Sequence, residues 1–338
     1  MAVFLIAFFV APNTMIRGVS NGLSLCGTAV VPSLFPFMVL SDFMVRSRLV
    51  DVLGRYLKPV TKLLFNLPGS AGCAVLMSVV GGYPTGAKMT AQLLESGSIS
   101  KSQAKRMMLF CVNAGPAFVM GTVGTVIFSD RKVGIILYFS ILISSLAVGI
   151  FLRIFEKKSF EFPEKVVDFE SGAVPVSIMQ GVNSTLFMCA WVLIFSCINA
   201  LLESLPLSEN VLSWIKMFTE VTNGCVSASS SFPVSIQALI MGWAGLSVHC
   251  QLLPYIKQTQ VQYLHFLLSR IIQGGLAATV ADFLFRVFPC DTSVFSTNTD
   301  VLPKIYSVSV PSAVATVILA LMLVAELSFK RQNKNDEI

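Results

Sequence analysis

Charge is what this sequence has least of: 12% of its residues are Asp, Glu, Lys or Arg, against 54% hydrophobic, and the mean hydropathy is +0.76. A chain of 338 residues with that balance cannot hide its apolar surface in one soluble core. The composition implies a polytopic membrane protein with the lipid bilayer as its partner. Histidine is scarce as well, with His249 and His265 the two in the chain. The sequence has no His-Glu-x-x-His, no Gly-x-x-x-x-Gly-Lys-Ser/Thr and no paired carboxylates. No catalytic residues, no metal ligands and no cofactor are expected, and an enzyme is the weakest reading. The eight cysteines stand singly in apolar segments without a Cys-x-x-Cys pair, as small buried hydrophobes do. The net charge of +6 comes mostly from Lys and Arg in short connecting loops. That is the cytoplasmic bias of membrane proteins, so no nucleic-acid partner is expected. The apolar start, residues 1–10, has no basic leader and no small-residue cleavage pattern, and reads as a short first helix.

What is present is irregularity where a membrane chain should be regular. The run Gly81-Gly82-Tyr83-Pro84-Thr85-Gly86-Ala87-Lys88 and the phrase Asn113-Ala114-Gly115-Pro116 both sit in hydrophobic surroundings. Backbone at that depth must satisfy its own N–H and C=O groups, and a break is tolerated where it lines a cavity and presents half-helix ends to a solute. Gly81, Gly82, Pro84, Gly86, Gly115, Pro116 and, in the second half, Gly245 are the expected structural breaks.

Taken in order, a hydrophobic helix over 22–45 carries Pro32 and Pro36 and is expected to kink. Residues 46–62 alternate basic and apolar side chains, as an interfacial amphipathic helix does. Residues 71–80 are too few to span and lead into the glycine pair, and Pro84 and Gly97 mark the bounds of a second short helix. Together these make a helical hairpin. Ser100 and Gln103 form a capping box for a helix that breaks at Asn113 and resumes toward Phe128. A spanning helix covers 133–151, and the hydrophilic stretch 153–172 reads as a linker. The second half is expected as a helix over 176–202, an interfacial segment over 211–223, a second hairpin with its tip near 244–251, a helix over 263–285 with a weak point at Gln273-Gly274-Gly275, and a terminal helix over 307–325.

Gly81 precedes Arg106 by 25 residues (106 − 81) and Gly245 precedes Arg270 by 25 (270 − 245). On this spacing the chain is expected to be an all-α polytopic membrane protein of two inverted repeats, each with a re-entrant helical hairpin and a broken transmembrane helix. Its divisions are 1–152 (first repeat), 153–175 (linker), 176–329 (second repeat) and 330–338 (polar tail). Charges at 46–62 and 101–106 favour the cytoplasm for that side, whereas counting crossings puts the basic tail outside.

The candidate substrate-binding residues are Tyr83, Thr85, Lys88, Asn113, Ser247 and His249. Lys88 lies one turn into a helix whose start offers free N–H groups, which suits a carboxylate or phosphate, or it snorkels to the interface. Asn113 offers donors and an acceptor at a break, as a solute ligand or a cap. His249 either donates to a substrate oxygen or is a hydrogen-bonded structural residue. Glu220 reads as an acid that pairs with Lys88 or Arg270, as a coupling group, or as a plain interfacial carboxylate. Arg270 is either a loop-edge charge or an attractor of substrate. No residue pattern sets an oligomeric state.

Five phrases, Pro32-Ser33-Leu34-Phe35-Pro36-Phe37, 81–88, 113–116, Glu220-Val221-Thr222-Asn223-Gly224 and Gly245-Leu246-Ser247-Val248-His249-Cys250-Gln251, occur in an order that resembles the YlbJ-type sporulation integral membrane proteins. These belong to the nucleoside-recognition (GATE) group, which also includes segments of concentrative nucleoside transporters. The resemblance covers most of 22–285. It implies a transporter-like fold in the bacterial cell membrane, in particular the outer forespore membrane, and a small-molecule organic anion, dipicolinate, as substrate. A nucleoside–cation symporter and a non-transporting scaffold for spore-envelope assembly are the rival readings.

Overall fold

A computed structural model describes residues 9–47, 49–154 and 172–290, and every described element is helical. The expected linker core, the terminal helix over 307–325, the polar tail and nearly all of the apolar start lie outside the described residues.

The first helix, α1 (Pro12–Arg46), is longer than the sequence suggested. It widens to a π-helical turn at Cys26–Val30 just ahead of Pro32, where the proline removes one amide from the ladder. Next comes α2 (Leu49–Phe65), the amphipathic segment. Two short helices, α3 (Ala71–Val80) and α4 (Tyr83–Glu95), then fold back on each other as the expected hairpin. Its tip is Gly82, whose φ of +91° a side chain would strain. Gly86 lets the arms close, since a Cβ there would stand 2.4 Å from that of Ser78. The capping box forms as read: Ser100 and Gln103 exchange backbone-to-side-chain bonds at the start of α5 (Lys101–Met108). The chain leaves helical form at 109–115 and, from Pro116, resumes as α6 (Ala117–Ile127), which is π-helical. It turns back as α7 (Arg131–Ile154), packed so closely on α6 that a Cβ on Gly124 would meet the Gly134 backbone at 2.6 Å.

The second half opens with α8 (Ala173–Ser204), which lies along α1. The segment read as one interfacial helix is in fact two. Helices α9 (Glu209–Thr219) and α10 (Val221–Ser229) reverse direction at Glu220, and Gly224 comes back against Met217. This is the second hairpin. The region expected to hold that hairpin is instead a broken helix, α11 (Ser235–Trp243) and α12 (Gly245–Thr259), whose halves pack on different neighbours. Its break is a left-handed pair, Ala244 (φ +73°) and Gly245 (φ +66°). The final described helix, α13 (Tyr263–Val287), runs unbroken through Gln273-Gly274-Gly275. Those glycines serve packing and not a bend: a Cβ on Gly242 of α11 would lie 2.6 Å from the Gly274 Cα.

The 25-residue spacing set Gly81 beside Gly245, but the two occupy different places: Gly81 adjoins the tip of the first hairpin, whereas Gly245 lies at the break of a helix, and the second hairpin turns at Glu220. Each tip sits on the break of its own half: Gly82 would place a Cβ 3.3 Å from the Gly115 amide, and Gly245 would place one 3.0 Å from the Val221 amide. One apolar core runs through both halves, with Met108, Val112 and Leu137 from the first and Met241, Val248 and Phe266 from the second. Among the described residues five helical stretches, Pro12–Arg46, Arg131–Ile154, Ala173–Ser204, Ser235–Thr259 and Tyr263–Val287, are long and apolar enough to cross a membrane.

Candidate functional site

A helix break frees carbonyls that the next turn would have served, and in an apolar interior each must find another donor. At the first break the continuous helix would have paired Leu109 with the amide of Asn113, and Val112 with that of residue 116, which is proline and has none. Both carbonyls accept instead from the guanidinium of Arg270 on α13. Phe110 accepts from the Ser145 hydroxyl at 2.7 Å and from the Asn113 amide at 3.2 Å. The Asn113 amide also donates to Ser78 of the hairpin at 3.3 Å, and its oxygen accepts from Gln273 at 2.7 Å.

At the second break the freed carbonyl is that of Met241, which an unbroken helix would have paired with the amide of Gly245. It accepts from the Tyr83 hydroxyl at 2.6 Å. Each half thus lends a side chain to the break of the other. His249 closes the second break locally: one ring nitrogen lies 3.0 Å from the Trp243 carbonyl and the other 3.1 Å from the Tyr263 hydroxyl, and the ring rests 4.5 Å from Trp243. Trp243 is anchored in turn, donating its indole N–H to Phe218 of the second hairpin at 3.0 Å.

The proposed binders fall into two groups. Asn113 and Arg270 meet at the first break, whereas the Tyr83 hydroxyl reaches across to the second. His249 borders this group through Phe266, whose ring lies 5.2 Å from its own and carries the Arg270 guanidinium 5.5 Å above its centre. Ser247 is buried in the first turn of α12. Thr85 closes the first hairpin, its hydroxyl lying 3.0 Å from the Met77 carbonyl and 2.9 Å from that of Gly82.

Lys88 faces another way. It is 5% exposed and donates to the Met38 carbonyl of α1 at 3.2 Å, with Asp42 as its neighbour of opposite charge. Asp42 accepts from Gln92 at 2.5 Å and from Arg46 at 2.6 Å. The sequence reading passed over Asp42, although it is the one charged residue in the run 22–45 and so carried a signal. Glu220 pairs with neither Lys88 nor Arg270. Its carboxylate caps α10, accepting from the amides of Thr222 at 3.0 Å and Asn223 at 2.7 Å. Arg270 is no loop-edge charge, since it is fully buried in the middle of a helix. Arg106, set beside it by the 25-residue spacing, belongs to a different place and donates to the Asn66 carbonyl at 2.9 Å. Among the described residues no cluster of His, Cys, Asp or Glu could hold a metal ion.

Residues 28–150, which take in the first hairpin, its break and most of α7, match the family model described as Gate, nucleoside recognition. The chain is also 25% identical to the sporulation integral membrane protein YlbJ of Bacillus subtilis (strain 168), over 81% of its own length and 78% of that protein's. No solved structure matches. The chain is therefore an integral membrane protein whose residues 28–150 match the nucleoside-recognition family model and which is similar to YlbJ along most of its length.

Proposed function

We propose that this protein is a transporter that carries a small organic anion by alternating access, with the two halves related by inversion across the membrane and the site where their breaks meet. The observation that carries this reading is the reciprocal bracing of the breaks, Arg270 to Leu109 and Val112, and Tyr83 to Met241. Irregular backbone held between two like units is where secondary transporters keep their solute. Two buried cations, Lys88 and Arg270, favour a negatively charged guest. The name of its relative YlbJ supports a role in spore formation, and a flat aromatic dicarboxylate, dipicolinate, fits the buried Arg270 guanidinium beside Tyr83 and Phe266. Lys88, on the second arm of the first hairpin, is then the cation at the site's edge toward α1.

Purified protein in liposomes, offered labelled dipicolinate, uridine and succinate under proton and sodium gradients, tests the reading. Saturable dipicolinate uptake is the expected result. Uptake of uridine alone would make the protein a nucleoside–cation symporter, and no uptake of any of the three would favour a membrane scaffold. The Lys88→Ala variant is expected to lose about ten- to a hundred-fold in uptake, the value of one charge-assisted hydrogen bond.

A further inference from the structure

Arg270 is the one fully buried cation of α13, and among the described residues no carboxylate pairs with it. Its two terminal nitrogens are engaged by neutral carbonyls, its Nε has no hydrogen-bond partner among the described residues, and its ionisable neighbours there are the Tyr83 hydroxyl, the Cys111 thiol and the His249 ring. Carbonyls and a phenyl face offset only part of what it costs to take a guanidinium out of water, and a buried charge is ordinarily completed by an opposite one. One turn along the same helix, Gln273 is equally buried and its Oε1 also lacks a partner. The orientation of that amide is fixed by its neighbours. Ser78 donates to the Val75 carbonyl, so the Asn113 amino group must donate to Ser78, and Gln273 must donate to the Asn113 oxygen. A donor and an acceptor are thus left unmet one turn apart, beside a net positive charge.

Resting on the reading of this chain as an anion transporter, we infer that Arg270 and Gln273 form the anion-binding subsite. A carboxylate of the substrate takes Nε of Arg270, and a hydrogen-bond donor or a bound water carried with it takes Oε1 of Gln273. The same guanidinium holds the carbonyls of the first break through its terminal nitrogens, so the bound anion and the brace share one cation. Occupancy of the site is thereby tied to how firmly α13 grips the first half. Lys88 lies outside this subsite, because it is committed to α1.

The test uses the full-length protein in detergent, with dipicolinate as the probe, read by its shift of the melting temperature and by equilibrium binding. Arg270→Gln is expected to weaken binding about ten- to a hundred-fold, in line with loss of a charge-assisted bond, while Arg270→Lys retains part of it. Gln273→Glu supplies an internal counter-ion. It gives up the bond to the Asn113 oxygen and is expected to lose the ligand-induced shift. If folded Gln273→Glu binds dipicolinate as tightly as the parent, the subsite is overturned. Folded Arg270→Gln that binds normally also overturns it, while leaving a Lys88-centred transporter standing. If the parent protein neither binds nor carries any dicarboxylate, it is the broader transport reading that fails.

Discussion

The two breaks solve one problem with different chemistry. The first opens about two turns of backbone, from 109 to 115, and relies on a cation from the far half together with the Asn113–Gln273 pair. The second is a left-handed kink at 244–245 that needs one neutral hydroxyl from the far half and is otherwise closed by its own His249 and Trp243. A short kink frees few carbonyls, so local groups nearly suffice. A long unwinding frees many, and only a multi-donor side chain with a fixed fork can serve two at once. The charge needed to brace the first break is what gives the molecule its electrostatic asymmetry.

That contrast can be broken or sharpened by substitution, with thermal unfolding in detergent as the measure. Asn113→Leu should cost most, about 2–5 kcal/mol, because it removes three hydrogen bonds and leaves the Gln273 amino group unpaired in the core. Tyr83→Phe strips the single donor that the second break takes from the far half and should cost about 1–3 kcal/mol. A loss as large as that of Asn113→Leu would mean that the breaks are equally dependent on each other's half. Glu220→Ala removes the cap of the second hairpin and should cost about 0.5–2 kcal/mol. A larger loss, with loss of uptake, would restore Glu220 to a functional role. Ala244→Gly relieves a left-handed alanine and should raise stability by up to about 1 kcal/mol. A fall there would mean that the methyl group, fully buried, packs more than it strains.

Much of the first half was legible because its signals are local. Pro84, Gly97, the Ser100–Gln103 box and the Asn113–Pro116 phrase each act through the chain's own neighbours, and the helices begin and end where these residues require. The second hairpin was misplaced for the converse reason. Glu220 reverses the chain by capping with a long carboxylate, with no glycine or proline at the corner, whereas Ala244-Gly245 looks like a turn and only kinks a helix. Gln273-Gly274-Gly275 misled in the same way, since what those glycines answer to is Gly242, thirty-odd residues earlier. The candidate site was half legible. Residue types marked Tyr83, Lys88 and Asn113 as polar groups at depth, but that Arg270 serves carbonyls 158 and 161 residues before it is a property of tertiary packing alone.

That last distance has a consequence for biosynthesis. The carbonyls of Leu109 and Val112 are made long before residue 270, and at about 5–20 residues per second a ribosome leaves them waiting on the order of 10–30 s. During that interval the first hairpin and its neighbours hold open peptide groups that lipid cannot satisfy. The nascent first half must therefore keep water, or the insertion machinery, at that point until α13 arrives to seal it.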